Sequence, residues 1–296
     1  MAKPDYQNEI FQLPDGTIVG TGNNLDADEA AKVTAKPFPD ELKLERRDIE
    51  RLMKAKSLKA LRDKRRKRMQ NQGRVGSCNF EATVALKHQL DEMNGLPHVP
   101  LASNHGYARV NGGRDVGSSL GESFRYMLEH GCCRRELIPV NTYNRRQQGN
   151  KLREADEDGR HRLLHEPYYL PDNWSDFVVA LASAIARDLP INVAWHVGSG
   201  SMRLRNGYIV HGRGRGNHST LVHSGKWVGG EAMIDPDIQN SWGPCIDPLY
   251  GVVSRNGWGD GGFGLTSAEA LFATRRFHPF WVGTSTMIDK RTDNPF

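Results

Sequence analysis

The spacing of hydrophobic residues divides the chain into a first half that favours helices and a second half that favours strands. Apolar residues recur at helical spacing over 78–93 and again over 120–130, where the second run stops at a glycine. Shorter runs rich in β-branched and aromatic residues follow over 191–197, 219–222 and 280–282. This α+β pattern predicts two packed lobes with a cleft where they meet.

Turn signals and charge organise two further regions. Residues 1–40 are polar and contain a Pro-Asp-Gly turn signal at 14–16. Asp40 is expected to cap a helix that starts at Glu41, and the highly charged residues 144–167 are expected to form an exposed excursion. The apolar face of the predicted helix carries Leu42, Ile49, Leu52 and Met53.

Basic residues are concentrated in one segment, Lys43–Arg68. It holds 13 Lys/Arg against four Asp/Glu, a net charge of +9, whereas the whole chain of 296 residues carries only +5. We favour a solvated helix face or a surface strap, and the alternative is a contact to nucleic acid or to an acidic partner. Because no aromatic residue interrupts the charges, a base-stacking platform is disfavoured.

Several classes of protein are excluded or disfavoured by composition. The longest apolar run, 177–185, is too short to span a bilayer, so no membrane partner is expected. Residues 1–6 lack the apolar core of a signal peptide, which disfavours secretion by that route. Of the four cysteines, the adjacent Cys132 and Cys133 are poorly placed to pair with each other.

Three distant fragments carry candidate chemistry, namely Gln-Gly-Arg-Val-Gly-Ser-Cys at 72–78, Asn-His-Ser-Thr-Leu-Val at 217–222 and Asn-Ser-Trp-Gly at 240–243. Cys78 begins a predicted helix, where unpaired N–H groups favour a thiolate. A free cysteine is most often a small buried apolar residue. The glutamine six residues earlier, Gln72, can supply an N–H to an oxyanion, and together these features favour a nucleophile.

The chain has 11 histidines, and His218 is the preferred base. It follows a glycine-rich loop and opens an apolar strand, which places it at the edge of an element facing a cleft. His223 has the opposite strand parity, so both rings cannot point into one site. Asn240 can orient the imidazole, whereas Asp235 and Asp237 are rival orienters with less suitable spacing.

In their order and spacing these fragments resemble the papain-like cysteine peptidases, over residues 61–285. The resemblance implies a thiol hydrolase that cleaves peptide bonds through an acyl-enzyme, with no metal and no cofactor. It implies that Cys78 attacks, His218 transfers the proton, Asn240 orients the ring and Gln72 stabilises the oxyanion. Trp242 would shield the histidine–asparagine hydrogen bond from water. A protein or peptide substrate is therefore expected.

The resemblance also implies substrate-binding residues. Gly117 and Ser118 match a glycine-rich loop that binds substrate, and Ala194 and Ser219 match the selectivity pocket. The implied fold is papain-like, with a central helix that starts at the nucleophile and a barrel-like, strand-rich C-terminal lobe.

The chain also departs from the family pattern. Asn79 and Glu81 stand where aromatic residues are usual, which changes the expected shape of the cleft, and a 14-residue insertion occupies 244–257. Val75 stands where secreted relatives have a bridging cysteine, so that disulfide cannot form. A reducing, intracellular compartment is therefore expected, or association with a virus particle.

The expected organisation has three parts. Residues 1–57 are an extension, either an inhibitory pro-segment or an assembly arm, 58–285 are the peptidase domain and 286–296 are a tail. The alternative function is a structural component of a large assembly, such as a virus particle, that retains a papain-like body. In that case the basic extension would dock to a partner protein or to nucleic acid.

Overall fold

The computed structural model describes residues 9–24, 32–33, 35–212, 218–245, 251–252, 254, 256–275 and 280–284. The predicted tail, 286–296, and most of the glycine-rich loop before His218 lie outside these residues. The described helices are α1 (Arg46–Ala55), α2 (Leu58–Arg66), α3 (Cys78–Met93), α4 (Ser103–Val110), α5 (Leu120–Glu129), α6 (Leu152–Arg160), α7 (Trp174–Ala186) and α8 (Ala268–Arg275). Short 3-10 turns span Asp40–Leu42, Arg135–Leu137 and Ser199–Met202.

The described strands form one large sheet and two small ones. The described strands are β1 (Ile10–Gln12), β2 (Ile18–Gly20), β3 (Asn23–Asn24), β4 (Lys36–Pro37), β5 (Ser118–Ser119), β6 (Tyr168–Tyr169), β7 (Ile191–Trp195), β8 (His218–Gly229), β9 (Met233–Gln239), β10 (Phe263–Leu265) and β11 (Trp281–Val282). The seven-stranded sheet has the order β10-β9-β8-β7-β11-β6-β4. β1 pairs antiparallel with β2, and β3 pairs parallel with β5. The α+β prediction is confirmed.

The central helix, α3, spans the residues that the apolar spacing predicted. Twelve of its sixteen residues are buried, so it is covered on all sides rather than amphipathic. One face packs with α5 in an apolar cluster that includes Leu86, Leu90 and Phe124. Since that cluster also holds Leu221 of β8 and Trp281 of β11, the helix lies between the helical and the strand-rich parts of the fold.

The basic segment differs from its prediction in detail. A 3-10 turn replaces the start of the predicted helix, and α1 begins at Arg46 rather than at Glu41, because the backbone N–H of Leu44 is held by the Ser183 hydroxyl of α7. A second helix, α2, follows α1 and continues to Arg66. Its start is capped by Ser57, which accepts the backbone N–H of Ala60.

The charged excursion at 144–167 is only partly exposed, because it contains helix α6. Ala155 and Gly159 of this helix are buried. Asp156 pairs with Arg109, and Asp158 pairs with Arg134. The acidic residues therefore fix the excursion to the helical lobe, which local charge density does not reveal.

Candidate functional site

Cys78 is fully buried at the first position of α3. Its sulfur is approached by backbone N–H groups of Ser219, Gly22 and Asn79. Two of these donors come from outside the helix: Ser219 from strand β8 and Gly22 from the N-terminal region. The thiol therefore lies at the junction of the central helix, the large sheet and the first residues of the chain.

His218 opens β8, and its Nε2 lies 2.8 Å from the carboxamide oxygen of Asn240. Because that oxygen can only accept, Nε2 carries the proton and Nδ1 has a free lone pair. Nδ1 is buried and makes no hydrogen bond to any described residue. The ring stacks on Trp242 with centroids 3.9 Å apart and an angle of 19° between the planes. This arrangement suits a base whose tautomer is set by Asn240.

The rival groups have other partners. Asp237 is buried, accepts from His223 at 2.9 Å and forms a salt bridge with Arg62 of α2. Asp235 accepts from the hydroxyl of Tyr208 at 2.5 Å. Each acidic rival therefore contacts a group other than His218, and His223 belongs to a separate ion-paired cluster.

Gln72 is buried in the loop that leads to Cys78, and its backbone and side chain both bind the Asn-Ser-Trp-Gly segment. Its N–H donates to the carbonyl oxygen of Ser241, and its carboxamide oxygen accepts from the Ser241 hydroxyl. This leaves Nε2 directed towards the carbonyl oxygens of Val75 and Gly20, at 2.8 and 2.9 Å. A donor held in this way costs little reorganisation when it binds developing negative charge.

Residues 9–24, which we call the cleft segment, lie across these groups. Strands β1 and β2 form a hairpin through the turn predicted at 14–16, and Gly16 adopts a φ of +86° there. The carbonyl oxygen of Gly20 accepts from Gln72 Nε2 and also from Trp242 Nε1, at 3.2 Å. Gly22 then passes close to residues 72–77, which lead to Cys78 and which we call the nucleophile loop. A Cβ on Gly22 would stand 2.1 Å from the Gly76 carbonyl oxygen.

The predicted substrate loop, which contains Gly117 and Ser118, also contacts the cleft segment. The N–H of Ser118 donates to the Gly22 carbonyl oxygen at 2.8 Å, and β3 runs parallel to β5 from that point. Gly117 has a φ of +82°, and a Cβ there would stand 2.3 Å from that same oxygen. The backbone of the cleft segment thus lies against Gly117 and Ser118, the two residues that the sequence predicted to bind substrate.

The residues of the predicted selectivity pocket, Ala194 and Ser219, face each other in the pairing of β7 with β8. Both are buried. The Ser219 hydroxyl donates to Asn192 and to the Val193 carbonyl oxygen, at 3.0 and 3.2 Å, so it is engaged within the sheet. Only its backbone N–H turns towards Cys78.

Burial controls the electrostatics of the thiol and the imidazole. Desolvation raises the pKa of Cys78 to about 12, although the backbone N–H groups around the sulfur oppose the rise. Desolvation also lowers the pKa of His218 to about 3, against the opposing hydrogen bond to Asn240. The thiol and the imidazole are therefore each neutral at pH 7.

Several cations of the basic strap, which we define as residues 43–68, bind groups elsewhere in the same chain. Lys56 binds the carbonyl oxygens of Ile185 and Ala186 at the end of α7, together with Asp188. Arg62 forms two hydrogen bonds to the buried Asp237 and one to Asp260, and further ion pairs join Lys64 to Glu92 and Arg66 to Asp260. These contacts fit the surface strap that the sequence favoured.

All four cysteines belong to the described residues, and they are buried and form no disulfide. The described residues include no group of metal-ligating side chains. Among them, no helix has the length and hydrophobicity needed to cross a membrane.

Sequence reasoning overlooked two contributors to the site. One is the cleft segment, whose signal was the Gly-Thr-Gly at 20–22, small enough to pass beside a thiol. The other is Asp115, which accepts the backbone N–H of Gly76 at 2.8 Å. No local pattern indicated the role of Asp115.

Comparison with solved structures finds the same architecture in cysteine proteases. Xylellain, a cysteine protease from Xylella fastidiosa, superposes with a TM-score of 0.57 at 14% identity, over 96% of this chain and 99% of that one. A recombinant stem bromelain precursor gives 0.56 at 15%, over 90% and 77%. Procathepsin B S9 from Trypanosoma congolense gives 0.55 at 11%, over 90% and 86%.

These likenesses show that the chain has the papain-like fold, as the ordered fragments predicted. No protein-family model matches the sequence, and no curated protein sequence matches it either. At such low identities the superpositions establish the fold, and the chemistry rests on the residues of this chain.

Proposed function

We propose that the protein is a papain-like thiol hydrolase that cleaves peptide bonds through an acyl-enzyme. The observation that carries this proposal is the hydrogen bond from His218 Nε2 to Asn240, which leaves Nδ1 unprotonated. His218 directly precedes Ser219, whose backbone N–H approaches the Cys78 sulfur at the N-terminus of α3. Thiol, imidazole and carboxamide come from three separate elements, α3, β8 and the end of β9. A purely structural core has no need for this combination of groups.

The reaction follows from these positions. Nδ1 of His218 removes the thiol proton as the sulfur attacks the substrate carbonyl carbon, and the oxygen that gains the negative charge is stabilised by Gln72 Nε2 and the Cys78 N–H. The imidazolium then gives its proton to the leaving amine, which frees one product and leaves a thioester on Cys78. Water attacks the thioester with His218 as base, releasing the acid and restoring the thiol.

We further propose that residues 1–57 include an inhibitory pro-segment, with the cleft segment as its active part. Gln72 Nε2, the donor assigned to the oxyanion, is already bound to the Gly20 carbonyl oxygen. The buried thiol has its pKa raised to about 12 and so carries almost no thiolate at pH 7. The closed form is therefore latent.

The orientation of the segment explains why it resists attack. The Gly22 N–H points at the Cys78 sulfur, and an N–H lies in the plane of its own peptide group. Attack on a carbonyl carbon requires approach from above that plane. We propose that the sulfur consequently meets the edge of the Thr21–Gly22 peptide rather than its carbonyl face.

A single methyl group tests both proposals in the full-length chain. Gly22→Ala places a Cβ 2.1 Å from the backbone oxygen of Gly76, so one of the two backbones must shift, and we expect the segment to leave the cleft. We expect peptide hydrolysis and Cys78 alkylation to rise by at least about tenfold, equivalent to about 1.4 kcal/mol. In the control Gly200→Ala, the new methyl lies 3.6 Å from Val210, an ordinary contact, and both rates should stay at the wild-type level.

The second arm removes the nucleophile. Cys78→Ala in the Gly22→Ala chain should abolish hydrolysis, and an electrophilic thiol reagent should label Cys78 before Cys132, whose pKa burial also raises to about 12. Residual hydrolysis in the alanine variant, or equal labelling of Cys132 or Cys245, contradicts the hydrolase. Unchanged rates in Gly22→Ala contradict the pro-segment alone.

A further inference from the structure

A buried tyrosine and an aspartate join the two loops that border the cleft. The backbone N–H of Gly76 donates to Asp115 Oδ1 at 2.8 Å, and the Tyr107 hydroxyl donates to that same oxygen at 2.7 Å. The Tyr107 oxygen in turn accepts the backbone N–H of Gly117 at 2.9 Å. We call these four residues the loop clamp, and their bonds run without a break from one loop to the other.

We propose that Asp115 is a positioning residue, which acts through Tyr107 to set the distance between the nucleophile loop and the substrate loop. The inference rests on the proposed hydrolase function. Gly76 lies two residues before Cys78, and Gly117 lies directly before Ser118, whose N–H binds extended backbone in the cleft. The clamp therefore connects the attacking group to the residue that aligns what is attacked.

The spacing between the loops leaves room for one glycine backbone and little more. A Cβ on Gly22 would stand 2.1 Å from the Gly76 carbonyl oxygen, and a Cβ on Gly117 would stand 2.3 Å from the Gly22 carbonyl oxygen. The distance between Gly76 and Gly117 thus decides how a bound backbone lies over the thiol. An error of about 1 Å in such a position costs on the order of 100-fold in rate.

The apolar surroundings hold the clamp rigid. Tyr107 is fully buried and packs in a cluster with Val75, Phe80 and Tyr126. Burial, with the nearby charge of Asp115, raises the pKa of Tyr107 well above its usual value, so its hydroxyl keeps the proton that it donates. Val75, which stands where the resemblance puts a bridging cysteine, belongs to this apolar cluster. The two loops are therefore joined here by packing as well as by hydrogen bonds.

The test compares two reagents on the full-length chain. A peptidyl chloromethyl ketone needs the aligned cleft, whereas iodoacetamide needs only the thiol. Both reagents can react only after the cleft segment has left. The fraction of molecules with an open cleft therefore cancels in the ratio of the two labelling rates. We expect Tyr107→Phe and Asp115→Ala to lower that ratio by about tenfold, and Asp115→Asn, which keeps an accepting oxygen, to recover most of it.

The control is Tyr208→Phe, which removes a tyrosine–aspartate bond of the same kind, to Asp235, and should leave the ratio unchanged. If Asp115→Ala does not fold, Tyr107→Phe carries the test, because its ring still fills the apolar cluster. An unchanged ratio in Tyr107→Phe, or a parallel fall in both rates, overturns the clamp. Failure of the hydrolase proposal would look different. The ratio of labelling rates would still fall in the variants as described, while neither the wild type nor any variant would hydrolyse a peptide.

Discussion

The cleft segment and the basic strap both belong to the N-terminal part of the chain, yet they bind the body of the protein by different means. The strap is held by side-chain ion pairs, among them a bridge from Arg62 to the fully buried Asp237. The cleft segment is held largely by backbone bonds at glycines, including those made by Gly20 and Gly22. The strap therefore resembles a permanent part of the fold, whereas the cleft segment resembles a ligand that can leave.

The largest expected effect concerns the strap. Arg62→Met leaves Asp237 charged and buried, with His223 as its remaining partner among the described residues, so the free energy of unfolding should fall by about 3–5 kcal/mol. Chemical denaturation measures this. Arg51→Met, which removes an exposed pair with Asp48, should cost less than about 1 kcal/mol. Equal losses in the two variants would remove the distinction between anchored and surface charges.

The closed cleft should also be sensitive to acid. Because burial lowers the pKa of His218 from 6.5 to about 3, the unfolded chain binds a proton that the closed form excludes. Stability is therefore present above pH 6.5 and is lost as the pH falls towards 3, by at most about 1.4 kcal/mol per pH unit, or about 2 kcal/mol at pH 5.

Denaturation at pH 7 and pH 5 measures this effect. His218→Asn should show a shallower pH dependence than the wild type, while the exposed His130→Gln should keep the wild-type slope. If the slope of His218→Asn equals that of the wild type, the buried neutral imidazole is not the source of the loss.

Opening the cleft should change the pH at which Cys78 reacts. In the wild type the thiol is desolvated and its pKa stands at about 12, whereas a hydrated cysteine ionises near 8.5. The midpoint of iodoacetamide labelling in Gly22→Ala should therefore fall by at least about one pH unit, which is about 1.4 kcal/mol. Matching pH profiles in the two chains would show that the segment does not desolvate the thiol.

The smallest effect tests one bond of the cleft segment. Trp242→Phe removes the N–H that binds the Gly20 carbonyl oxygen and keeps an aromatic ring over His218. Losing this hydrogen bond should weaken the binding of the cleft segment by about 1 kcal/mol, which should raise the rate of Cys78 labelling about fivefold. The matched control is Trp174→Phe, which loses a hydrogen bond to the exposed Glu231. An equal rise in Cys78 labelling in this control would show that the bond from Trp242 to Gly20 does not specifically retain the cleft segment.

Much of the architecture was open to prediction because it depends on local spacing. The length of α3 follows from apolar residues at helical intervals, and the parity of β8 separates His218 from His223. The helix in the excursion at 144–167 was overlooked, since its half-buried aspartates find their partners, Arg109 and Arg134, only in the folded chain.

By itself the sequence determined the fold class, the order of thiol, imidazole and carboxamide, and the impossibility of a disulfide at Val75. These properties depend on residue identity and on intervals that helices and strands impose. Only the tertiary structure decided that Gly22 covers the thiol, that Arg62 neutralises Asp237 and that Asp115 joins the cleft loops. Such contacts connect residues 39 to 175 positions apart, so their geometry exists only after the lobes have packed.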